Sequence, residues 1–208
     1  MLPIETLLVF FTTSILLALT PGPDNLFVLA QSAQHGKRAG LVVTVGLCTG
    51  ILVHTAAVSL GVAAIFQTSA LAFNALKYIG AAYLIYLAYQ SFKAGGGVDS
   101  TGAVKKLQLN KLYFRGVIMN VTNPKVSIFF LAFLPQFVNP EYGPIIPQMM
   151  VLGALFIVST ILIFGGVSLL AGTFGEWLAK SERATKILNR IAGSVFAGLA
   201  LKLIMVKR

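Results

Sequence analysis

Acidic residues are scarce in this chain: six Asp and Glu stand against sixteen Lys and Arg in 208 residues, and charged positions make up only 11%. A soluble domain carries about 25% charged residues, so a water-facing fold is excluded. Cysteine is rarer still. Cys48 stands alone, which rules out a disulfide framework or a two-thiol relay within one chain and leaves a small packing residue. No G-x-x-x-x-G-K-[ST] occurs, so no P-loop is present to drive work with ATP. The absence of H-E-x-x-H and of a nucleophile elbow removes intramembrane proteolysis, and with it the reading as an enzyme. The apolar runs hold no cluster of carboxylates, thiolates or histidines, so neither a metal nor another cofactor is implied.

What is present is apolar. Hydrophobic residues reach 57% and the mean hydropathy is +0.85, and stretches of membrane-spanning length recur along nearly the whole chain. The fold class expected is an all-α integral membrane protein in one domain. Six spans are expected, at Ile4–Gln34, Ala39–Phe66, Ala70–Phe92, Gly116–Val138, Ile146–Gly172 and Ile187–Val206. The net charge of +10 sits in short loops between these spans. It therefore records orientation and does not point to nucleic acid. Loop 1 holds Lys37 and Arg38, loop 3 holds Lys93, Lys105, Lys106, Lys111 and Arg115, and loop 5 holds Lys180, Arg183, Lys186 and Arg190. These three loops share the cytoplasmic face, which puts both termini outside. The first apolar run is preceded by Glu5 and lacks the basic start of a signal peptide, so it is expected to be retained.

The first span contains Thr20-Pro21-Gly22-Pro23-Asp24-Asn25. Leu7–Leu19 before it makes only about 20 Å of helix, short of a hydrocarbon core of about 30 Å. The crossing needs both pieces, and its break frees backbone groups that bare lipid does not satisfy. Discontinuous helices of this kind line substrate and ion sites in secondary transporters, where an intramembrane carboxylate is functional by default. A second break falls at Thr122-Asn123-Pro124-Lys125 in the fourth span. Asp24 lies ten residues before Gln34, and Lys125 lies ten residues after Arg115. Both then sit about 15 Å from the cytoplasmic boundary, near the midplane, where each charge can neutralise the other in an empty cavity.

The chain divides into halves, 1–92 and 116–208, joined by a basic cytoplasmic loop, 93–115, with Gly95, Gly96 and Gly97 as a flexible connector. Three spans per half is an odd number, so the halves are expected to be inverted repeats. Lys77-Tyr-Ile-Gly80-Ala-Ala-Tyr83 resembles Arg190-Ile-Ala-Gly193-Ser-Val-Phe196 in matching places.

Thr20-Pro-Gly-Pro-Asp-Asn25, Gly36-Lys-Arg-Ala-Gly40 and Thr122-Asn-Pro-Lys125 together resemble the LysE/RhtB amino-acid exporters over essentially the full chain. The resemblance implies a bacterial inner-membrane secondary exporter driven by proton antiport. It places Pro21, Gly22, Pro23, Asp24, Asn25, Asn123, Pro124 and Lys125 at the functional breaks. Neutral cargo such as threonine, homoserine or leucine is favoured over lysine, because Asp24 is the sole acid placed deep in the membrane. On this reading Asp24 meets the cargo's ammonium and carries the coupling proton. Lys125, with the N–H groups freed at Asn123-Pro124, meets the carboxylate.

Each residue also has a plainer reading. Asp24 can cap the second half of the first helix, and Lys125 can snorkel to the headgroups. His54, near mid-depth in the second span, is either a proton relay or a hydrogen-bonded packing residue. Thr20, Gln31, Asn120 and Thr122 either line the cavity or bond between helices. Gly46 and Gly50 form a G-x-x-x-G that suits close packing within the chain, with a homodimer seam as the alternative. The rival functions are export of a metal or other small cation, or a structural or assembly role in the membrane.

Overall fold

The computed structural model describes residues 2–20, 22–68, 108–170 and 182–205, with isolated positions between 78 and 93. Pro21, most of the expected third span including Tyr83, and Gly95, Gly96 and Gly97 lie outside the described residues. So do Lys77, Lys105, Lys106, Gly172, Lys180, Lys207 and Arg208. The described residues form helices and tight turns, with no strand among them.

The chain opens with α1 (Ile4–Leu19) and α2 (Pro23–His35), set at 61° to each other. α4 (Leu109–Thr122) and the segment Pro124–Phe137 repeat the pattern with a bend of 50°. That segment begins as α5 (Pro124–Ile128), widens into a π turn over Phe129–Phe133 and tightens into a 3-10 turn over Leu134–Phe137. One physical cause acts at every corner. A residue before proline is driven out of the helical region by the ring, and Thr20, Gly22 and Asn123 each precede a proline and are each extended. Gly22 therefore needs no special backbone freedom.

α3 (Lys37–Thr68) is a continuous helix joined to α2 through Gly36 alone. That residue turns the chain at φ +82°, a conformation that only glycine adopts readily. α6 (Ile145–Thr160) passes through a second π turn, Ile161–Gly165, into α7 (Gly166–Leu170), and α8 (Glu182–Met205) follows. Among the described residues two stretches, Lys37–Gly61 and Ile145–Leu170, are each long and apolar enough to cross a membrane, and each bent pair qualifies as one further crossing. Large apolar side chains such as Leu52, Leu60, Leu162 and Leu169 face outward, as a lipid-facing surface requires.

Three helix starts differ from the sequence reading, the first being that of α3, whose opening turn carries Lys37 and Arg38, expected in the first loop. α4 begins at Leu109, so Lys111 and Arg115, expected in the third loop, lie on its first two turns. Arg183, Lys186 and Arg190, expected in the fifth loop, lie on α8. Long basic side chains are good helix formers, and the helix carries on through them into the polar boundary.

α3 is the hub, packing most extensively on α4 and also on α2 and α6. The G-x-x-x-G motif makes the α4 contact. A Cβ on Gly46 would run into the Tyr113 carbonyl, and one on Gly116 would lie 2.6 Å from the Val43 carbonyl. The two backbones therefore touch, and the motif packs within the chain. Gly50, one turn further along, leaves room for the Asn120 side chain.

The buried apolar side chains among the described residues form two clusters. One gathers Phe10, Leu17, Ile51, Val126, Phe129, Phe130, Phe133 and Phe156, and its rings meet at centroid distances from 4.8 to 6.1 Å. The other gathers Ala18, Val28, Val43, Leu47, Leu112 and Phe164. The dividing surface passes between Leu17 and Ala18 on α1 and between Leu47 and Ile51 on α3. It also falls between Phe156 and Phe164. Both helix breaks fall at this surface.

Candidate functional site

A break in a helix leaves the last carbonyls of one piece and the first N–H groups of the next without partners. At the end of α1 the carbonyls are taken up in turn. Thr20 donates to the Leu16 carbonyl through its N–H at 3.0 Å and its hydroxyl at 2.8 Å, and Asn25 Nδ2 donates to the Ala18 carbonyl. Two further acceptors are served from across the molecule. Lys125 Nζ donates to the Leu17 carbonyl at 3.2 Å and to the Thr20 carbonyl at 3.0 Å. A cation thus sits at the negative end of the α1 dipole. Lys125 is only 8% exposed, so its ammonium is held at the first break and does not reach for the headgroups.

At the second break Asn123 is the N-cap of α5, and its Oδ1 accepts from the Lys125 N–H at 3.0 Å. The Val126 and Ser127 N–H groups go to the Asn123 carbonyl. The N–H groups expected to receive a carboxylate are therefore already partnered. The Asn120 carbonyl, at the end of α4, accepts from the Asn123 N–H at 3.1 Å and lies 3.2 Å from His54 Nε2. A carbonyl only accepts, so that ring nitrogen carries the hydrogen. The His54 ring also stacks on Phe130 at 5.6 Å.

Asp24 is 2% exposed. It lies in the first turn of α2, but the N-cap position belongs to Gly22, and no side chain caps that helix end. Its Oδ2 accepts from Asn120 Nδ2 at 3.4 Å, and its Oδ1 has no hydrogen-bond partner. Direct contact with Lys125 is not made: the two charges do not come within the 4.0 Å of an ion pair. Both instead border one small cavity of about 10 Å³, room for about one water. Asn120, Leu17, Ala18, Val126, Phe156, Thr160 and Phe164 complete its wall. Asn25 Oδ1, Asn120 Oδ1 and Asn123 Nδ2 are likewise buried without partners. Unsatisfied polar atoms in such number are uncommon in a packed interior and mark this as a polar pocket between two apolar clusters.

The structure thus brings Asp24, Asn25, Asn120, Asn123 and Lys125 to the two breaks, with His54 joined through Asn120 and Thr20 contributing its carbonyl. Gln31 is half-buried two turns further along α2 and lies outside the cavity wall. Thr122 is exposed, its hydroxyl donating back to the Ile118 carbonyl at 2.8 Å. Sequence reasoning missed Phe156, Thr160 and Phe164, which line the cavity from α6 and the π turn after it. The four-residue spacing of Thr160 and Phe164 was the one signal available. Arg115 lies 4.6 Å over the Phe27 ring and ties α2 to α4 beyond the cavity.

His54→Phe separates packing from hydrogen bonding at this site. The ring contact with Phe130 survives, while the Asn120 carbonyl loses one donor, so a stability loss of about 1 kcal/mol is expected. Thermal unfolding of the purified protein reads it. An unchanged melting curve would mean that this hydrogen bond contributes nothing to stability.

The sequence profile of the LysE type translocator family matches residues 15–207. The chain belongs to this family. Over 187 residues it is 35% identical to the homoserine/homoserine lactone efflux protein of Salmonella typhimurium, covering 90% of each chain. It is 30% identical over 204 residues to an uncharacterized membrane protein of Vibrio cholerae, covering 98% of each. A further uncharacterized membrane protein, from Bacillus subtilis, is 28% identical over 207 residues, which is 95% of this chain and 98% of that one. No solved structure matches the chain significantly. Membership in the family makes this a membrane translocator and not an enzyme.

Proposed function

We propose that this LysE-type translocator exports amino acids, with homoserine-like neutral compounds as the first candidates, across the bacterial inner membrane in exchange for protons. Its six crossings form two inverted three-helix halves, with both termini on the periplasmic side. One observation carries the reading: a buried carboxyl and a buried ammonium, Asp24 and Lys125, border a common cavity where two helix breaks meet. Asp24 binds the coupling proton, and His54 and Lys125 are, among the described residues, the other titratable groups within reach of that exchange. The relative named for homoserine and homoserine lactone efflux supports cargo of this size.

A cavity with room for about one water admits no amino acid, so cargo enters only when the helices around the breaks part. The two apolar clusters flanking the cavity then act as seals, opened one at a time. The test is efflux from vesicles loaded with homoserine, threonine, leucine or lysine, with and without an inward proton gradient. Gradient-stimulated flux of a neutral amino acid is expected. Flux confined to metal ions, or none for any amino acid, would overturn the assignment.

A further inference from the structure

The polar atoms around the breaks are unevenly matched. Three buried oxygens, Asp24 Oδ1, Asn25 Oδ1 and Asn120 Oδ1, lack a donor, whereas Asn123 Nδ2 is the only side-chain nitrogen among the described residues at the breaks that lacks an acceptor. To these oxygens are added the Leu17 and Thr20 carbonyls at the end of α1, which are satisfied only by a side chain from the other half of the protein. A pocket built this way calls for a donor-rich cation. The group already in it is a primary ammonium.

We propose that the Leu17 and Thr20 carbonyls form a seat for a primary ammonium, that Lys125 fills the seat in the closed protein as a tethered substitute, and that the cargo's ammonium displaces it during transport. This rests on the export reading and gives its recognition rule: the ammonium is required and the carboxylate is dispensable. Geometry supports the exchange. An ammonium has three N–H donors, of which Lys125 places two on the carbonyls. Once displaced, its ammonium finds the unpartnered oxygens of Asp24 and Asn120 on the wall of the same cavity. No cargo carboxylate is needed to keep it from being buried unpaired. Gly22 belongs to the device through its size. A Cβ there would stand 3.1 Å from Lys125 Nζ and 3.6 Å from its Cε, so only glycine leaves the seat its full width. The exchange also ties filling to motion, because Lys125 belongs to α5 and the seat belongs to α1. While Lys125 is seated the two breaks are tied together, and when cargo takes the seat that tie is released.

The seat is tested by thermal unfolding of the full-length purified protein. Lys125→Ala leaves the carbonyls without their cation, so methylammonium chloride raises its melting temperature. The same salt leaves the wild type unchanged, and tetramethylammonium chloride, which has no N–H, moves neither. Stabilisation of both proteins alike, or of neither, overturns the proposal. The wild type supplies an arm that does not depend on the variant folding. Homoserine and homoserine lactone raise its melting temperature, whereas N-acetylhomoserine, which keeps the carboxylate and loses the ammonium, binds at least about tenfold more weakly. Equal binding of the N-acetyl compound sinks the seat even if amino acids are exported. Methylammonium stabilisation of Lys125→Ala in a protein that carries no amino acid sinks the export reading and leaves the seat.

Discussion

Asp24→Asn is expected to reduce gradient-driven amino-acid efflux to the background of empty vesicles while leaving a normal amount of folded protein in the membrane. Asparagine matches aspartate in size and still accepts the hydrogen bond that Asn120 Nδ2 donates to the Asp24 side chain. It is also equal to aspartate as a helix cap, and Asp24 is not in the cap position in any case. What remains to be lost structurally is the charge–dipole term at the start of α2, about 0.3–1 kcal/mol. What is lost functionally is the only acid among the cavity-lining residues, and an amide takes up and releases no proton. Vesicle efflux under an imposed pH difference, normalised to protein content, measures the first effect, and thermal unfolding measures the second. Coupled export at the wild-type rate would reject Asp24 as the proton carrier.

Gly46→Leu is expected to lower stability by about 3 kcal/mol, the upper end of overpacking losses. The obstacle is the Tyr113 carbonyl, with Gly116 Cα immediately beside it. Both are backbone atoms in the middle of a helix, so no change of rotamer makes room. α4 would have to move away from α3, carrying Asn120 and the second break with it. Gly61 on the same helix provides the control, since a Cβ there meets nothing within 4 Å. Gly61→Leu should leave the melting temperature close to that of the wild type. A similar loss from both substitutions would mean that the α3–α4 contact does not account for the effect, since helix propensity favours leucine over glycine at both positions.

The breaks were legible in the chain itself, because proline acts locally: it lacks an N–H and drives the preceding residue out of the helical region. Thr20, Gly22 and Asn123 follow that rule, whereas Leu134 and Ile146 stay helical before Pro135 and Pro147. The G-x-x-x-G spacing likewise announced a close helix contact. Its partner was not legible, since glycine specifies how near another backbone comes and not which one. The starts of α3, α4 and α8 were misjudged for a related reason. Positive charge signals proximity to the aqueous boundary, whereas a helix ends where its hydrogen bonding ends, and lysine and arginine do not stop it.

Composition and local chemistry alone established a helical membrane protein with an acid and a base at two interrupted helices. That much depends on polarity and on backbone sterics, both carried by neighbouring residues. The route of each charge depended on the fold. The Lys125 ammonium goes to the carbonyls of α1 and not to Asp24, because an α-helix that stops inside an apolar surround leaves acceptors that some donor must satisfy. Which donor reaches them is settled by how α1 and α5 lie against each other, a relation between residues more than a hundred positions apart.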